Sequence, residues 1–223
     1  MDLQVVIDAL PFLFDGMLVT LVMSVSGMAC GMLLGILVCA ARMSNHAPTR
    51  RFGAVYVSIF RGVPLVVQLM LVFYALPVIG IVLPAYVAAL IALSFCAAAY
   101  IGEILRGGLL VIPKGHIEAA RMLGFSMIQV WRRILIPQAL VTSLPSLINE
   151  LILLLKASSL ISVIGIAELT RTSQNIAAST YRPLEIYLAA ATFYLVLNLL
   201  LAMAGRAAER RLAPAIQGGK HGR

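Results

Sequence analysis

Residues 16–41, GMLVTLVMSVSGMACGMLLGILVCAA, form an apolar run with no charge in 26 positions. A helix needs about 20 apolar residues to cross the roughly 30 Å hydrocarbon core of a bilayer. Four further stretches qualify, at approximately 54–78, 84–110, 138–166 and 183–205. None shows the period-2 alternation of a barrel strand, and a helix satisfies its own backbone hydrogen bonds in lipid. The expected architecture is therefore all-α and membrane-integral, with about five transmembrane helices. Composition agrees: 61% of the 223 residues are hydrophobic and only 12% charged, against about 25% charged in soluble domains. That excludes a cytosolic enzyme, a secreted disulfide scaffold and a disordered tail protein.

Upstream of the first run lie Asp2, Asp8 and Asp15 and no Lys or Arg, the wrong flank for a cleavable signal peptide. The net charge of +8 orients the chain and removes any need for a nucleic-acid partner. Thirteen of the 17 basic residues fall after spans 1 and 3 and in the C-terminal tail, while only Arg171 and Arg182 fall in the opposite connections. The positive-inside rule then predicts an external N-terminus and a cytoplasmic C-terminus. The division expected is an external segment 1–15, a transmembrane domain 16–211 with a cytoplasmic loop 112–137, and a cytoplasmic tail 212–223. Gly27, Gly31 and Gly35 repeat every fourth residue in span 1 and predict close approach of a second helix. Span 4 is longer than a straight crossing requires, and Pro145 or the Lys156-Ala157-Ser158-Ser159 cluster is expected to bend or break it. Cys30, Cys39 and Cys96 lie in apolar runs with no CxxC pair, so they read as packing residues, with no metal site.

The loop at 107–137, GGLLVIPKGHIEAARMLGFSMIQVWRRILIP, is the informative one. Pro113 and Gly115 are expected to end span 3. A short helix over 117–123 would follow, with Glu118 in its first turn and Gly124 in the left-handed position that ends it. Ala119 and Ala120 give that helix little bulk, which suits a pocket in a protein partner better than a lipid surface. Ser126 and Gln129 have capping-box spacing, with Phe125 and Val130 as the staple, for a second helix. Trp131, Arg132 and Arg133 read as an interfacial anchor.

Glu118-Ala119-Ala120, Gly124 and Ile134-Leu135-Ile136-Pro137 resemble the EAA loop of ABC importer permeases. Phe60-Arg61-Gly62-Val63-Pro64-Leu65 with Gln68, Ala99-Tyr100-Ile101-Gly102-Glu103-Ile104 with Arg106, and Leu155-Lys156-Ala157-Ser158-Ser159-Leu160 are similar to segments of the polar amino acid group of that family, the histidine, glutamine and opine type. Ala157 replaces the family's usual Asp, Val63 its usual Thr. The resemblance spans about residues 16–211. It implies a type I importer transmembrane domain in a bacterial inner membrane. It also implies separate ABC ATPase subunits that carry ATP and Mg, a second permease chain, identical or not, and an external solute-binding protein. Glu118, Ala119, Ala120 and Gly124 would be the residues that transmit the ATPase stroke. The chain has no GxxxxGK[ST] motif for nucleotide, so no cofactor is expected on it.

Ionisable residues inside the spans are functional candidates by default. Glu103 and Arg106 are placed to pair on one helix face, and with Arg61 they read as a structural charge network. Glu150 lies about 20 Å into span 4 at 1.5 Å per residue, near mid-membrane. It is read either as the group that holds a substrate ammonium, with Asn149 beside it, or as an ion-pair partner of Lys156 or Arg61. Lys156, Ser158 and Ser159, at the expected helix break, are the second candidates for the translocation path. An intramembrane protease is excluded, because His46, His116 and His221 all fall in loops or the tail. Another small polar solute, or an autonomous channel or transporter, are the alternatives, and the channel reading leaves a coupling helix without purpose.

Overall fold

The structure is a computed structural model that describes residues 3–212, so the tail proposed for 212–223 lies almost wholly outside the described residues. The elements in chain order are α1 (Leu3–Met43), α2 (Ala47–Gly62), α3 (Leu65–Met70), α4 (Ala85–Leu110), α5 (Lys114–Met122), α6 (Met127–Val130), α7 (Ile136–Ala157), α8 (Leu169–Thr180) and α9 (Pro183–Leu212). Four stretches, built on α1, α4, α6–α7 and α9, are long and apolar enough to cross a membrane. The fifth is α2 with the helix that α3 begins, which meet at 103° and make one broken span. The chain is a multi-pass membrane protein.

The glycine stripe is the seam of the bundle. A Cβ placed on Gly27 would come 3.0 Å from Leu93 Cβ, one on Gly31 2.7 Å from Ala97 Cβ, and one on Gly35 2.7 Å from Ile101 Cγ2. Gly102 presses against Val38 in the same way, at 2.7 Å. The partners advance together along both chains, so α1 and α4 are parallel, and α2–α3 is what returns the chain between them. Ala89, Ala92, Leu93, Ala97 and Ile101 are buried along this contact. Small residues at such a contact replace the hydrophobic drive that lipid does not supply. α7 runs antiparallel to both: Leu154 reaches Gly27 and Ser158 reaches Ser24.

Several boundaries differ from the sequence expectation. Residues 3–15 are the first turns of α1 and no separate segment. Ala9 and Leu13 are buried there against Leu169, Ala177 and Ile186 of α8 and α9. Pro145 sits inside an unbroken α7. The helix tightens to 3₁₀ only at Ser158–Ile164, so of the two suggested break points the serine cluster is the one used. The loop helix starts at Lys114, behind an extended Pro113. Gly115 therefore lies within it, and Glu118 falls past its first turn, out of reach of the orphan N–H groups that would have favoured an anion. The second loop helix is not a separate element either. From Met127 it passes through a π turn at Trp131–Leu135 straight into α7.

Candidate substrate cleft and coupling loop

The break between α2 and α3 opens a cleft of about 450 Å³ against α4 and α7. Arg61, Cys96, Tyr100, Glu150, Leu153 and Ala157 line it, together with the backbone of the break. Its size is within the range of small-molecule sites. Glu150 projects from α7 and is only 8% exposed. Among the described residues its carboxylate makes no hydrogen bond and no salt bridge. The opposite charge acting on it is Arg61. The Arg61 guanidinium lies 4.9 Å from the centroid of the Tyr100 ring, a cation–π arrangement that leaves its N–H groups open to a ligand. The cleft therefore presents a fixed anion and a fixed cation to the same space.

Arg61 does not belong to the structural network in which the sequence grouped it. Glu103 takes Arg42 instead: Arg42 Nε donates to Oε1 at 2.8 Å. Arg106 donates to Oε2 through Nη2 at 2.7 Å and Nε at 3.0 Å, which is the expected i,i+3 pair. The reason is geometric, since α1 runs on to Met43 and carries Arg42 alongside α4. The remaining path candidates divide. Asn149 and Lys156 are exposed on α7, and Ser159 is half-buried with its hydroxyl donating to Lys156 O at 2.8 Å. Ser158 is fully buried, 3.0 Å from the Ser24 hydroxyl and donating to Leu155 O, so it faces helix packing, away from the cleft.

At the loop, Gly124 adopts φ +77°. Its N–H donates to Arg121 O at 2.9 Å and that of Phe125 to Ala120 O at 3.1 Å, the paired bonds of a Schellman ending. The capping box forms: Gln129 N–H donates to Ser126 Oγ, and Ser126 N–H donates to Gln129 Oε1 at 2.8 Å. Ala120 packs inward on Val130 and Leu135. Glu118, Ala119, Met122 and Leu123 face outward, with Met122 89% exposed.

Sequence reasoning missed a fully buried acid. Glu168 is fully buried and caps α8. It accepts from Arg171 N–H at 2.8 Å and Thr170 N–H at 2.9 Å, and from the hydroxyls of Tyr194 at 3.0 Å and Thr20 at 3.3 Å. Burial pushes its carboxyl above the usual carboxylate range, and these donors offset only part of that push. An acid two residues before the polar run 170–175 was the available signal.

Residues 27–214 match the model of the binding-protein-dependent transport system inner membrane component family. The chain belongs to this family. Its fold is that of a type I ABC importer permease, a translocation subunit. Relatives include the arginine transport system permease protein ArtQ of Bacillus subtilis (strain 168), 38% identical over 95% of this chain and 97% of that one. The glutamine transport system permease protein GlnP of Escherichia coli (strain K12) is 39% identical over the same shares. The L-cystine permease TcyB of Bacillus subtilis (strain 168) is 38% identical, over 91% of this chain and 87% of its own length. Among solved structures, an amino acid ABC transporter with histidines matches at a TM-score of 0.89 and 36% identity, over 95% of this permease and 99% of that chain. The MetNI methionine transporter matches at 0.72 and 24%, over 94% and 96%, and supports the fold alone.

Proposed function

We propose that this permease carries polar amino acids inward across a bacterial inner membrane, driven by separate ABC ATPase subunits. The observation that carries the reading is the cleft that sets Arg61 and Glu150 against one space. The relatives named for arginine, glutamine and cystine share only one chemical feature in their cargo, the α-ammonium and α-carboxylate. The buried Glu150 is suited to hold the ammonium, and Arg61, exposed at the cleft and held over Tyr100, the carboxylate. Asn149 and Lys156, exposed on α7, and Ser159 just beyond its end are the further polar candidates for the path, and which side chain the substrate carries is decided elsewhere in the cleft. An external solute-binding protein delivers it, and a second permease chain completes the pathway.

Coupling rests on the loop. Glu118, Ala119 and Gly124, with the exposed Met122 and Leu123, form the surface on which an ATPase subunit docks, and Ala120 ties it to α7. ATP and Mg belong to that subunit; this chain binds neither. The basic loops face the cytoplasm, with the N-terminus outside. Another small polar solute is the competing reading, and it requires no paired charges in the cleft.

The test uses the assembled transporter in nanodiscs with its ATPase and binding protein. ATPase stimulation is measured across a panel of amino acids. Stimulation by one or a few of them, abolished by Glu150→Gln with assembly intact, is the expected result. If Glu150→Gln leaves affinity and rate unchanged, the substrate role of Glu150 is wrong. Gly124→Val should separate ATP hydrolysis from uptake, because a β-branched residue is strained at φ +77°.

A further inference from the structure

We infer that Gln68 is a positioning residue for the amino-acid cleft, the clamp that holds the broken span in the shape from which Arg61 reaches its ligand. The inference rests on the reading of the cleft given above. It starts from Pro64. In an unbroken helix the carbonyl of Phe60 would accept from the N–H of residue 64, and proline has none. Val63 is extended, with φ −92° and ψ 131°. Its N–H still closes α2 on Ile59 O at 2.9 Å, but the N–H groups of Val67 and Gln68 both turn to Pro64 O, at 3.0 and 3.1 Å. The carbonyls of Phe60 and Val63 are thus left without a backbone donor at the point where the span bends, among apolar neighbours.

Gln68 supplies both. One turn into α3, its Nε2 donates to Phe60 O at 3.0 Å and to Val63 O at 2.8 Å. Each of the two amide hydrogens closes one orphan carbonyl. The alternative amide orientation would set an oxygen against two oxygens, so the rotamer is fixed by chemistry. The side chain is buried at 6% exposure, and its Oε1 has no hydrogen-bond partner. A buried amide that leaves its own oxygen unmet is a poor choice for packing beside Leu65 and Leu69. Its two donated bonds account for it. They straddle Arg61, joining the residue before it to the second residue after it, and so fix the segment that sets the guanidinium over Tyr100. Glu150 stands on α7, outside the clamp. Opening the clamp should therefore damage recognition of the substrate carboxylate and spare that of the ammonium.

The experiment is direct binding to the purified permease–ATPase complex in nanodiscs, with no binding protein present. The probes are arginine, glutamine and cystine, and then the decarboxylated amine of whichever binds best (agmatine, in the case of arginine). Wild type should prefer the amino acid over its amine. Gln68→Met, close in volume and without donors, should shrink that preference about tenfold, the effect of one or two lost buried hydrogen bonds, while affinity for the amine is unchanged. Gln68→Leu, likewise without donors, should shrink the preference to the same extent, and it keeps the test open if Gln68→Met assembles poorly. Equal weakening of amino acid and amine, or a change in thermal stability with the preference intact, overturns the inference. Arg61→Gln separates the levels. If it abolishes the preference and Gln68→Met does not alter it, the clamp alone is wrong. If Arg61→Gln leaves the preference untouched, the reading of the cleft fails and the clamp's role fails with it.

Discussion

Glu103 and Glu150 are both carboxylates on membrane-spanning helices, yet their surroundings are opposite. Glu103 spends both oxygens on arginines, with Arg42 at 2.8 Å and Arg106 at 2.7 Å. The Arg42 pair ties α1 to α4 at the end of the bundle that carries α5, and the Arg106 pair lies along α4. Glu150 has no partner within bonding distance and looks across a cleft at Arg61. A buried charge that is paired fixes structure, whereas one left unpaired beside an open space is retained at a loss of stability. The difference assigns one acid to architecture and the other to a ligand.

The sharpest way to break that contrast is to neutralise each acid in turn. Glu150→Gln should reduce substrate-stimulated ATPase activity by about 100-fold, as expected for removing one partner of a desolvated charge contact, with no fall in the melting temperature of the complex. A fall in stability equal to that of the Glu103 variant would erase the distinction. Glu103→Ala should instead lower stability by about 2–3 kcal/mol, since it strands two half-buried arginines, with substrate affinity unchanged in whatever complex assembles. Calorimetric melting and ligand titration on the same sample check both. Single replacements on the cationic side refine the picture. Arg106→Met removes two hydrogen bonds and Arg42→Met one, so the first should destabilise more, by about 1 kcal/mol.

Glu168 extends the comparison to an acid held by neutral donors, and its expected effect is the smallest. Its folded pKa is raised, so the stability linked to it is fully present below the ordinary glutamate pKa and is lost as pH rises through the folded value. Protection factors at α8, exchange rates corrected for the intrinsic pH dependence of amide exchange, should accordingly be higher in mild acid than at neutral pH, and Glu168→Gln should flatten that dependence. A profile that runs the other way would mean that its four donors outweigh burial.

How much of this was legible in sequence follows from the range of the interaction. The Gly27, Gly31, Gly35 stripe, the Ser126–Gln129 capping box and the left-handed Gly124 are set by residues within a few positions, and all three were readable. The Glu103–Arg106 pair is equally local. Arg42 was placed in a connection, because nothing nearby indicates that α1 extends to Met43 beside α4. The approach of Arg61 to Glu150 depends on how a broken span folds back on two distant helices, and no periodicity records that. Gly115 and Pro145 suggest breaks in sequence, yet both lie within helices: glycine is tolerated in an exposed first turn, and a membrane helix can absorb a proline. Glu118, Ala119 and Ala120 were picked out by motif, and their exposure or inward packing had to come from the structure.

The parallel glycine seam also sets an order of events during synthesis. The face of α1 that carries Gly27, Gly31 and Gly35 has its partner in α4, which is made only after the whole α2–α3 broken span has left the ribosome. At roughly 5–20 residues per second, that face waits several seconds in the bilayer with lipid tails as its only neighbours. During this interval any small-faced helix in the translocon's vicinity is a competitor for it. The first helix to be inserted is thus secured only when the third span has been made, and an intervening segment that stalls would leave it open to capture by the wrong chain.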